Sequence, residues 1–165
     1  MDATPEITLR DAQPYAGISA WVAMANIGSV ADRIPEIFGW LGASGIAPAG
    51  PPFFRYHVID MERELLIEVG VPVESPVTED GGEVRCGTLP AGEFAVVTHT
   101  GAPPTLAAAT AELLEWAAAR GLAFDVYPTE VGEEWGCRVE FYLTDPAEQP
   151  DMSKWQTQLA FRLKD

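Results

Sequence analysis

Two glutamates stand in otherwise apolar surroundings, Glu68 in LLIEVGVPV and Glu140 in RVEFYL. On a strand each side chain alternates either out to solvent or inward, and an inward carboxylate without a partner is costly to bury. Walled by aromatic rings, such a carboxylate becomes a counter-ion for an organic cation, since ring faces attract the same charge. Rings are plentiful: five tryptophans, seven phenylalanines and four tyrosines. Phe38, Phe94, Phe161, Trp40 and Trp116 read as core packing. Trp135 in EVGEEWGCR and Trp155 in DPAEQPDMSKWQT fall in turn-like segments, where a large ring has less core to fill and suits a pocket wall. Tyr56 and Tyr142 lie on strand-like stretches and offer a ring with a hydroxyl to orient a ligand or a water.

Covalent catalysis has no support. His57 and His99 form no triad, and Ser19, Ser29, Ser44, Ser75 and Ser153 lack a G-x-S-x-G setting. His99 sits at a strand-to-helix junction and reads as a structural hydrogen-bonding group. Gly92, Gly101 and Gly132 make no phosphate-cradling motif. Cys86 and Cys137 each stand alone without metal-ligand spacing and read as buried structural thiols, so no metal and no cofactor is expected.

The elements that must position these groups follow from periodicity. From about Ser29 to Ser44, Ile27, Val30, Ile34, Phe38 and Leu41 recur at helical spacing, with Ser29 as N-cap and Pro35 forcing a kink or a fresh start. From about Pro104 to Arg120, Leu106, Thr110, Leu113, Leu114 and Ala117 share a face, and Gly121 follows the last turn. Strand-like runs cover 7–10, 16–24, 53–60, 65–73, 84–89, 93–100, 137–144 and 157–163. The polar turn Thr78–Gly82 divides them. Across it, Trp40, Gly45 and Ile46 recur as Trp116, Gly121 and Leu122, Pro14 and Pro90 precede paired strands, and Glu68 aligns with Gln158. A duplicated α+β domain spanning 1–165 is expected, its halves at about 6–75 and 83–163, with a ligand cleft where they meet.

Composition narrows the partners. The chain has 165 residues, 47% of them hydrophobic, enough for one globular domain. Ten Lys and Arg against 25 Asp and Glu give a net charge of −15, which repels phosphate and anionic lipid. No basic aromatic patch or helix-turn-helix pattern appears, so direct nucleic-acid binding is not expected. The N-terminus lacks signal-peptide character and no apolar run approaches ~20 residues, which implies a cytoplasmic protein without a membrane partner.

LPAGEFAVVTHTGAPPTL from Leu89, LLEWAAARGL in the second helix, VEFYLTDP from Val139 and KWQTQLAFRL from Lys154 resemble the GyrI-like small-molecule-binding domain, also the effector-binding part of multidrug-responsive transcription activators. The resemblance is strongest over 83–163 and keeps its order over 6–75. It implies duplicated β-α-β-β modules related by a pseudo-two-fold axis, with an aromatic pocket between them that usually holds a buried glutamate. Some stand-alone relatives resemble hydrolases that open strained cyclopropane rings of DNA-alkylating natural products and confer self-resistance; there the glutamate positions or deprotonates water. Where relatives read Trp-x-Thr-Glu, this chain reads Trp155-Gln156-Thr157-Gln158. An amide keeps the hydrogen bonding but takes no proton and carries no charge.

The expected function is therefore to bind small hydrophobic or cationic drug-like or toxin molecules, for sequestration or sensing, among Tyr56, Glu68, Trp135, Glu140, Tyr142, Trp155 and Gln158. The alternative is a cyclopropanoid hydrolase with Gln158 at the general-base position, Glu68 or Glu140 as remaining carboxylates and Tyr142 orienting water or leaving group. A third reading is an interaction protein docking its acidic surface on a larger target such as a topoisomerase.

Overall fold

A computed structural model describes residues 4–76 and 82–165, so the expected turn at Thr78–Gly82 lies almost wholly outside the described residues. In chain order come β1 (Glu6–Arg10), β2 (Gln13–Val22), α1 (Ile27–Ala31), α2 (Ile34–Ala43), β3 (Phe53–Ile59) and β4 (Leu65–Pro72). Then follow β5 (Arg85–Leu89), β6 (Gly92–Thr100), α3 (Leu106–Ala119), β7 (Val126–Thr129), β8 (Gly132–Trp135), β9 (Arg138–Tyr142) and β10 (Gln156–Arg162). The strands form one curled antiparallel sheet, ordered β1-β6-β10-β9-β3-β4-β2-β5, with the β7–β8 hairpin attached to β3. This is an α+β fold.

Local chemistry explains the helices. The first helical stretch breaks in two and restarts with Pro35 in the first turn of α2, where its missing N–H costs nothing. Both α2 and α3 end on a glycine with positive φ, Gly45 at 71° and Gly121 at 70°. At each end a hydrophobic residue closes the motif: Ile46 N–H donates to the Leu41 carbonyl, and Leu122 N–H to the Ala117 carbonyl.

Several expectations are corrected. Ser29 lies inside α1 and not at its N-cap; its hydroxyl donates to the Asn26 carbonyl. Phe38 is 38% exposed because the buried stripe of α2 runs through Ile37 and Leu41. Cys86 is exposed on the edge strand β5, whereas Cys137 is fully buried. The segment 130–138, expected to be turn-like, contributes β8 to a hairpin with β7, which places Trp135 at the end of a strand and 8% exposed.

Side-chain alternation gives the sheet two unlike faces. One carries the helices: α1 and α2 cover Ile18, Phe54, Ile67 and Val69, while α3 covers Ala95, Val97, Leu159 and Phe161 beside Trp135. The other face curls around Tyr15, Phe53, Phe94, Cys137, Val139 and Phe141. No helix among the described residues is long and apolar enough to cross a membrane.

Candidate ligand site

The centre of the sheet is the pairing of β3 with β9, in which Phe54 lies opposite Glu140 and Arg55 opposite Val139. Glu140 therefore shares the helix-bearing face with Tyr56, Arg138 and Tyr142, at spacings of two along each strand. It stands between the two helix-covered clusters: Tyr56 and Tyr142 pack against the first, and Arg138 lies over Trp135 and Phe161 of the second.

Glu140 is 7% exposed, and the hydroxyls of Tyr56 and Tyr142 each donate to its Oε1 at 3.3 Å. Burial pushes its carboxyl above the ordinary carboxylate range, partly offset by the Arg138 charge and the tyrosine hydrogen bonds. Burial, reinforced by Glu140, likewise raises both tyrosine hydroxyls, so they remain donors at neutral pH. The Arg138 guanidinium carbon stands 4.7 Å from the Trp135 ring centroid, 4.6 Å from that of Phe161 and 5.5 Å from that of Tyr56. Burial lowers its pKa, and both its Nε and the Trp135 Nε1 are buried without a hydrogen-bond partner. The arrangement is a carboxylate in an aromatic surround with unspent donors, suited to a diffuse cation or a polar group on an apolar ligand.

The other expected residues do not all join it. Trp155 precedes β10 and is anchored by its Nε1, which donates to the Gln149 carbonyl at 2.7 Å. Glu68 points to the opposite face, where it accepts from the Tyr15 hydroxyl at 2.5 Å and lies 2.8 Å from His57 Nε2. Arg55 in turn donates to the Tyr15 hydroxyl at 3.1 Å, so this carboxylate is satisfied within the protein. Gln158 pairs in register with Phe141 and also faces away from Glu140. It borders a cavity of about 520 Å³ whose lining includes Arg10, Phe94, Cys137 and Phe141. A single pocket holding all seven residues is thus corrected: adjacent strand positions point to opposite sides. Arg138 was not anticipated, although its place two residues before Glu140 in RVEFY puts both on one face.

A family model for the GyrI-like small molecule binding domain matches residues 3–164. Among solved structures, the EcmrR C-terminal domain is similar with a TM-score of 0.77 at 17% identity, covering 98% of each chain. In an EcmrR–DNA complex the likeness spans 98% of this chain but 57% of the EcmrR chain, with a TM-score of 0.75 at 17% identity. SAV2435 bound to tetraphenylphosphonium gives a TM-score of 0.65 at 10% identity, covering 98% of this chain and 94% of that one. A hydrolase from Listeria innocua gives 0.66 at 15% identity over 97% and 91%. None of the curated proteins matches this chain.

Proposed function

The chain belongs to the family of GyrI-like small molecule binding domains, and from that premise we propose that it binds diffuse organic cations and apolar drug-like molecules at Glu140. The observation that carries this reading is a glutamate 7% exposed that accepts two long tyrosine hydrogen bonds, is offset only in part by the Arg138 charge and is ringed by aromatic side chains. A buried carboxylate so weakly compensated gains from a cation that brings its own apolar surface. SAV2435, of the same fold, was solved with tetraphenylphosphonium, a ligand of this chemistry. Tyr56 and Tyr142 orient the carboxylate, Trp135 supplies ring surface beside Arg138, and Arg138 tempers the charge, favouring bulky delocalised cations over compact ammonium groups.

The reading extends to the architecture. Replacing β1, β2, β3 and β4 by β5, β6, β9 and β10 leaves the strand order unchanged when read from the other end, which supports a duplicated chain with the site on its pseudo-two-fold axis. Hydrolysis is the weaker reading, although the Listeria innocua relative is described as a hydrolase. The position that the family resemblance gives to a base is Gln158, an amide hydrogen-bonded to Arg10 on the face away from Glu140.

Titration of tryptophan fluorescence with tetraphenylphosphonium tests the proposal. Saturable quenching is expected from the parent and at least about tenfold weaker binding from Glu140→Gln. No saturable response from the parent, or equal affinity in the variant, overturns it.

A further inference from the structure

The cavity on the opposite face has a different character. Arg10 reaches into it from β1, its guanidinium carbon 5.8 Å from the Phe94 ring centroid and 5.6 Å from that of Phe141. Its Nη2 donates to Gln158 Oε1 at 2.7 Å. Among the described residues no carboxylate forms an ion pair with Arg10; Asp11, which also lines the cavity, is exposed. Arginine has only donors, so Gln158 must present its oxygen, and among the described residues its Nε2 donor makes no hydrogen bond beside the remaining guanidinium N–H groups. The neighbouring Cys137 thiol is pushed up by burial to about 11 and stays neutral, adding no negative charge. Burial also lowers the Arg10 pKa, the mark of a cation short of solvent.

We propose that this cavity is a second ligand site, selective for small planar carboxylates. The carboxylate would take the free edge of the Arg10 guanidinium and Gln158 Nε2, and the flat apolar part would lie along Phe94 and Phe141. The volume of about 520 Å³ falls within the usual range for small-molecule pockets. The site is independent of Glu140, since alternation sends Phe141 and Glu140 to opposite faces of β9. Gln158 is the selectivity element: a glutamate here would supply an internal carboxylate to Arg10 and close the site to anions.

Calorimetric titration with benzoate, benzamide and tetraphenylphosphonium on the same samples decides the matter. Benzoate is expected to bind saturably and benzamide at least about tenfold more weakly. Arg10→Gln and Gln158→Glu each weaken benzoate by about tenfold or more while leaving the tetraphenylphosphonium isotherm unchanged. Should Arg10→Gln fail to fold, Gln158→Glu carries the test alone. Absent benzoate binding, or benzoate affinity unmoved by Gln158→Glu, overturns the second site whatever the phosphonium titration returns.

Discussion

Burial raises the Glu140 carboxyl, and the Arg138 charge and two tyrosine hydroxyls offset that only in part. Because the folded-state value lies above the unfolded one, the group imposes no penalty where both states are protonated, below the unfolded carboxyl range. Stability is lost as pH rises through the folded value. Under the proposed function, cation affinity should run the other way, growing as the same carboxyl ionises. Glu140→Gln removes the titration, so its Tm should exceed the parent's at neutral pH by roughly 2–4 °C, and the gap should close on acidification. Thermal unfolding across a pH series checks this; a gap that stays constant would assign the effect to packing. Glu140 and its tyrosines were readable from an acidic residue and aromatics at spacings of two. Arg138 was not, because a strand arginine ordinarily reads as solvated, and here it is sheltered by rings from neighbouring strands that no local pattern reveals.

The helix ends repay a direct test. Gly45 and Gly121 both adopt positive φ, and a Cβ at either would meet nothing within 4 Å, so alanine there pays only the conformational cost. Each Gly→Ala change should lower stability by about 1–2 kcal/mol. The two should add, lying on separate helices without shared partners. Urea unfolding midpoints of the single and double variants measure both statements. These ends were visible in the sequence as the five-residue step from tryptophan to glycine, and Pro35 announced the break between α1 and α2. The β7–β8 hairpin was not visible: its four-residue strands carry Pro128, Glu133 and Glu134 and bury little except Trp135, so they lack an apolar alternation. They are strands because β8 pairs with the end of β3, a tertiary circumstance.

A net charge of −15 on 165 residues leaves the folded molecule under self-repulsion. Raising ionic strength from about 0.01 M to 0.15 M shortens the screening length from about 30 Å to 8 Å, which should raise Tm while weakening tetraphenylphosphonium capture. Scanning calorimetry and titration at both salts check the opposed signs. The sheet order carries another consequence. Among the described residues the edge strand β1 is paired only with β6, and β2 takes β5 as its outer neighbour, so each part of the chain completes its sheet with strands from the other. When a ribosome has delivered the chain only as far as residue 76, neither partner exists yet; the edges of β1 and β2 wait open until the chain through Thr100 has emerged, and that of β3 until β9 is complete at Tyr142. That interval is when nascent copies on one message stand closest to trading strands, and slowing translation between residues 76 and 100 would prolong it.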